Sequence, residues 1–285
     1  MHPERTRRAA DGLPPLLPAM LGECIGTFLM VFIGTACVAA AVLTEAQAAV
    51  WQVAVVWGFG VALAIHVSAG MSGAHLNPAV SLAIALLRPQ RFPSSRLLPY
   101  WAAQLAGAVL AGTMVLAAFG PILERFEHAN GLVRGAPGSE LSAMVFGEYF
   151  PNPAMFGTGP EARALVSPLA AAGVEGLGTA VLVFMVFALT DPRNRAAPPP
   201  RMVPFFIGFT VAVLISLFAP VTQAGWNPAR DLGPRLVAAA AGWGSVALPG
   251  PEGGFWAYIV GPLIGGPIGG LIWEGLMRVR GGRRD

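Results

Sequence analysis

Residues Gly73 to Leu87 read GAHLNPAVSLAIALL, and residues Gln223 to Leu236 read QAGWNPARDLGPRL. Each stretch carries Asn-Pro-Ala, as Asn77-Pro78-Ala79 in the first and Asn227-Pro228-Ala229 in the second. Asn is among the best helix N-caps. Pro suits the first helical position, where its missing N–H is no loss. Both stretches therefore predict a helix that starts at the tripeptide. The cap oxygen is expected to accept the N–H of the third helical residue, Val80 or Arg230, which leaves each Asn amide free to donate elsewhere.

What surrounds these helices follows from composition. Hydrophobic residues make up 55% of the chain and charged residues 12%, against about 25% charged in a soluble domain. Such a chain belongs in a membrane. Apolar runs lie at roughly 16–43, 50–70, 97–119, 168–190, 203–220 and 255–277, each near the roughly 17–25 residues that a spanning helix needs. The segments after Asn77, to about Leu87, and after Asn227, to about Ala241, are shorter. Roughly twelve residues of helix cover about 18 Å, so these two suit re-entrant half-helices. Irregular backbone at that depth is tolerated only where protein buries it or water lines it, which implies a cavity.

The basic residues are all Arg, and no basic patch interleaves with aromatics, so the net charge of +3 points to topology and not to nucleic acid. Arg5, Arg7, Arg8, Arg88, Arg91, Arg96, Arg193, Arg195, Arg201, Arg278, Arg280, Arg283 and Arg284 fall on one set of links and ends. Arg125, Arg134, Arg163, Arg230 and Arg235 fall on the other. The positive-inside rule places both termini in the cytoplasm. Arg without Lys, with much Ala and Gly, suggests a GC-rich bacterium, whose plasma membrane is then the expected location. Cys24 and Cys37, about 20 Å apart along one helix, read as small buried hydrophobes.

The chain also repeats itself. ECIGTFLMVF (Glu23 to Phe32) matches EGLGTAVLVF (Glu175 to Phe184), a shift of 175 − 23 = 152. GFGVALAI (Gly58 to Ile65) matches GFTVAVLI (Gly208 to Ile215), and 227 − 77 gives the same shift of 150. Each repeat holds three spans, an odd number, so the second enters from the opposite face. Inverted repeats of this kind place a solute site at the midplane. There the positive ends of both half-helices meet, an arrangement that repels cations and welcomes a neutral hydroxyl.

With SGAHLNPAV and NPARDLGPR at this spacing, and with GECIGTF and VEGLGTA, the sequence resembles the aquaporin and glycerol-facilitator (major intrinsic protein) family over about 16–277. The resemblance implies an all-α membrane protein, a bundle of six transmembrane helices plus two re-entrant half-helices, assembled as a homotetramer among membrane lipids. It implies a single channel domain at 16–277, with a first repeat at about 16–119, an outer loop at about 120–165 and a second repeat at about 166–277. The cytoplasmic tails are 1–15 and 278–285. It makes Asn77, Pro78, Ala79, Asn227, Pro228 and Ala229 the pore midplane. Trp57, Ile215, Ala224 and Arg230 form the selectivity constriction, and Glu23, Glu175 and His75 support the re-entrant loops. No metal or other cofactor is implied.

Asp231, Arg235 and the long outer loop look like the glycerol-conducting branch. Ile215, where water-selective members tend to have His, widens the ring, and the set looks closer to the plant nodulin-26-like one. The expectation is a passive channel for glycerol, water and small neutral solutes such as urea or metalloid acids, closed to ions and protons. A water-selective or metalloid channel remains an alternative, and a secondary transporter a remote one. No metal cluster, phosphate loop or nucleophile–base pair points to an enzyme. His66 is expected inside the bundle, Gln104 as an interhelical hydrogen bonder, and Glu274 as a snorkelling end residue. A third tripeptide, Asn152-Pro153-Ala154 in YFPNPAMFG (Tyr149 to Gly157), has no half-helix after it and no partner at the shift of 150. It reads as an extended or turn segment of the outer loop.

Overall fold

The computed structural model describes residues 12–281. Most of the expected N-terminal tail, with Arg5, Arg7 and Arg8, lies outside the described residues, as do Arg283, Arg284 and the side chain of Arg280. Six helices are long and apolar enough to cross a membrane. They are α1 (Leu16–Thr44), α2 (Val50–Ser72), α4 (Leu97–Ala129), α5 (Pro168–Thr190), α6 (Val203–Thr222) and α8 (Ala257–Gly281). Between them lie the half-helices α3 (Pro78–Leu87) and α7 (Pro228–Ala238). The chain is thus an integral multi-pass membrane protein.

Its packing mirrors the repeat. α1 packs on α2 and α4, and α5 packs on α6 and α8. The half-helices cross over: α3 packs on α8, and α7 on α4. Lipid tails are as apolar as Leu, so helices in a bilayer associate through close contact at small residues. Gly261, Gly265 and Gly269 of α8 lie directly against Ala172, Gly176 and Ala180 of α5. Where α2 crosses α6, Gly58 and Gly208 face each other, and a Cβ on either would strike the other's carbonyl. The same logic explains the Gly in each Glu-x-x-Gly-Thr motif. Leu76 packs onto Gly26, and the indole of Trp226 packs onto Gly178.

Four local readings change. α4 runs to Ala129, past the apolar run, because Leu123 and Glu127, one turn apart, are buried beneath the connection to α5. There Ser142 donates to Glu127 at 2.8 Å and Arg134 pairs with it at 2.7 Å. α7 ends at Ala238 and gives way to a wider-wound turn, Ala239–Trp243, broken at Gly242 with φ 111°. His66 is exposed on α2, not packed inside. Glu274 does not snorkel: it accepts from Arg88 at 2.9 Å and Arg193 at 2.7 Å. Asp191, after α5, joins the same cluster through Arg88 at 3.1 Å, Arg193 and the Trp273 indole at 2.8 Å. This cluster ties the C-terminal end of α3 to α5 and α8.

Candidate functional site

The loops leading into α3 and α7 follow one backbone pattern. Gly73, Ala74 and Leu76 have φ of 86°, 54° and 51°, and Gln223, Ala224 and Trp226 have 58°, 68° and 51°. Left-handed backbone costs a residue with a Cβ about 1–2 kcal/mol. A buried carboxylate holds each loop in place. Glu23 accepts from His75 N–H at 2.9 Å and Leu76 N–H at 2.7 Å. Glu175 accepts from Gly225 N–H at 3.0 Å and Trp226 N–H at 2.6 Å. Gln104 donates to both Glu23 at 2.7 Å and Ser81 at 3.0 Å, so it does bond between helices. A carboxylate with several N–H partners is the arrangement in which an intramembrane acid is tolerated.

The two Asn residues join the loops to each other. The Asn77 amide donates to the carbonyl of Trp226 at 2.9 Å, and the Asn227 amide donates to that of Leu76 at 2.7 Å. Their oxygens cap the half-helices. Asn227 accepts from Ala229 at 3.1 Å and from Arg230 at 3.2 Å, but Asn77 accepts from Ala79 at 2.8 Å and not from Val80. The amides are therefore not wholly free. A primary amide has two N–H groups, and each Asn commits one to the opposite loop. Pro78, Ala79, Pro228 and Ala229 are buried where the two N-termini meet.

Asn77 and Asn227 border one cavity together with Trp57, Ile215, Ala224 and Arg230. Met30, Val61, Leu182 and Val211 make its wall largely apolar. The Arg230 guanidinium carbon sits 4.3 Å from the centre of the Trp57 ring, within cation–π range, and Arg230 donates to the Ala224 carbonyl at 3.5 Å. At the other end His75 borders both this cavity and a wider vestibule that Arg88, Arg91 and Arg96 also line. Its ring lies 4.6 Å from Phe92 and 5.1 Å from Tyr100, and its Nδ1 is 3.1 Å from the Ser81 hydroxyl.

Sequence reading missed Glu148. This acid of the α4–α5 connection is buried and contacts the Arg230 guanidinium. It lies outside both repeats and has no mate at either shift, so no pattern singled it out. Asp231 accepts from its N–H at 2.7 Å, and Arg235 donates to its carbonyl. Asn152, also buried, has extended-type backbone, with φ −58° and ψ 116°, and begins a turn, as its sequence context implies. It caps a one-turn helix, Pro153–Phe156, accepting from Ala154 N–H at 3.0 Å. Its amide and N–H donate to the last carbonyls of α6, Ala219 and Pro220, each at 3.1 Å. Chemically, the site offers a fixed cation opposite an aromatic face, two spare amide donors and loop carbonyls, in an otherwise greasy passage.

A family model described as Major intrinsic protein matches residues 14–273. A glycerol uptake facilitator protein of Pseudomonas aeruginosa is 39% identical over 266 residues, covering 93% of this chain and 89% of that one. A propanediol uptake facilitator of Citrobacter freundii is 38% identical, covering 90% of this chain and 91% of that one. The X-ray structure of the aquaglyceroporin from Plasmodium falciparum is similar in fold, with a TM-score of 0.77 and 22% identity, covering 93% of this chain and 100% of that one.

Proposed function

The chain belongs to the major intrinsic protein family, and on that premise we propose that it is a passive channel for glycerol and other small neutral solutes, water among them. One observation carries this reading: Arg230 and Trp57 are stacked in the lining of a cavity that Ile215 and Ala224 also border. A polyol has a hydroxyl edge and a carbon edge, and this pair matches both. A donor beside an apolar wall is how such pores select by lining chemistry. Glu148 balances the Arg230 charge on the side of the connection. A cation entering the pore meets Arg230 and then two positive helix ends.

In this reading Trp57, Ile215, Ala224 and Arg230 form the constriction, Asn77 and Asn227 the midplane donors, and Glu23, Glu175 and His75 the loop supports. Asp231 and Arg235 mark the glycerol-conducting branch. The vestibule with Arg88, Arg91 and Arg96 faces the cytoplasm of a bacterial cell, both termini lie on that side, and the protein forms a homotetramer surrounded by lipid. Transport is by permeation, without catalytic turnover. The apolar wall beside the Arg230 donor also supports metalloid acids as a second solute class.

Stopped-flow light scattering of proteoliposomes in a glycerol gradient tests this. Rapid swelling that saturates with neither solute nor proton gradient is the expected result. Water flux without glycerol flux overturns the glycerol reading, and gradient-driven, saturable uptake would point to a transporter.

A further inference from the structure

Gln223 stands where the first repeat has Gly73, since 223 − 73 = 150 is the offset that relates Asn227 to Asn77. Both residues are left-handed and end a helix in the same way, each N–H donating at 3.0 Å, Gly73 to Ala69 and Gln223 to Ala219. Gly adopts this conformation without steric cost, and Gln does not. Something else must account for a strained Gln in the second repeat.

Its side chain gives the reason. Gln223 is 8% exposed. Its Oε1 accepts the N–H of Tyr149 at 2.8 Å, and its Nε2 lies 3.5 Å from the carbonyl of Met144. Tyr149 directly follows Glu148, which contacts Arg230. Ala224 directly follows Gln223, and its carbonyl accepts from Arg230. One amide therefore bridges the two segments that grip the guanidinium. The first repeat has no need of it, because the counterpart of Arg230 there is Val80, at 230 − 150.

We propose that Gln223 is a positioning residue for selectivity: it couples the α4–α5 connection to the re-entrant loop and so holds Arg230 against Trp57. The inference rests on the glycerol reading above. A polyol needs an oriented donor at the constriction, whereas the smaller water molecule depends on it less.

The test compares Gln223→Gly, which removes the bridge and the strain, with Gln223→Met, which removes the bridge and keeps bulk and strain. Glycerol and water permeability are measured in the same proteoliposomes, with tryptophan-fluorescence melting as a folding control. Both variants are expected to lower the glycerol-to-water ratio by about three- to tenfold, the scale of one lost buried hydrogen bond, and to remain folded, with Gln223→Met melting lower than Gln223→Gly because it keeps the strain. A change in Gln223→Gly alone would show that strain and not the bridge matters, and would overturn the proposal. A glycerol-permeable parent whose two variants keep its ratio sinks this inference alone. A parent impermeable to glycerol sinks the functional reading and this inference with it.

Discussion

Asp231 and Arg235, one turn apart on α7, form a two-point ion pair at 2.9 and 2.8 Å, with exposures of 0% and 1%. The pair also reaches beyond its own helix. Asp231 takes the N–H of Glu148, and Arg235 donates to the carbonyls of Glu148 and Ala247. It fastens the α4–α5 connection over the cavity and presents the Glu148 side chain to Arg230. The two residues that look like a branch marker in sequence act in the fold as a staple.

Removing one partner leaves the other charge buried and unpaired. Asp231→Ala or Arg235→Ala should each cost about 3–5 kcal/mol, read as a lower melting temperature of the detergent-solubilised protein. The double variant Asp231→Leu with Arg235→Met should recover part of that loss, because no lone charge remains. A single variant that melts within about 1 kcal/mol of the parent would contradict the staple.

Ile215 borders the same cavity as the Arg230–Trp57 stack. Replacing it by His narrows the passage and adds a polar group to the apolar wall. Ile215→His is expected to lower glycerol flux more than water flux in proteoliposomes. Equal losses would count against placing Ile215 at the constriction.

Glu23 and Glu175 each offer two acceptor oxygens to two loop N–H groups. A Gln in place of either turns one acceptor into a donor facing a donor. Glu23→Gln and Glu175→Gln should each cost about 1–3 kcal/mol and depress flux of all solutes together, since the loops carry both Asn residues. Unchanged melting and flux would mean that the left-handed loops hold themselves.

Asp191 carries a pH signature. Its hydrogen bond with the Arg193 guanidinium, helped by the Trp273 indole and the Arg193 N–H, holds its carboxyl well below the usual carboxylate range. A depressed folded-state value stabilises the protein above the ordinary carboxylate value of about 4. That contribution fades as pH falls below it. Asp191→Asn should therefore lower the melting temperature at neutral pH, and the gap to the parent should shrink in acid. A gap independent of pH would remove the charge from the explanation.

The legible part of this protein was its repetition. Asn77 and Asn227, like Gly58 and Gly208, sit 150 residues apart and Glu23 and Glu175 152 apart, and matching chemistry at nearly one offset is visible in a linear string. The six spans followed from unbroken apolarity, and the half-helices from their caps and lengths. The ends of α4 and α7 were less legible. Leu123 and Glu127 are buried by the connection that folds over them, and α7 stops where Gly242 turns, so neither end is set by local hydropathy.

Sequence alone determined the class of molecule: an inverted pair of three-span units with two buried helix starts, because periodicity, capping and apolar length are local properties. Tertiary structure decided what each polar group does. It spent one amide hydrogen of each Asn on the other loop, turned Asp231 and Arg235 into a staple, brought Glu148 to Arg230, and put a strained Gln223 between them. Such pairings join residues about 74 to 151 positions apart. Nothing in a local pattern specifies which buried donor will meet which acceptor. The requirement that every polar group inside a membrane find a partner is met only once the helices have packed.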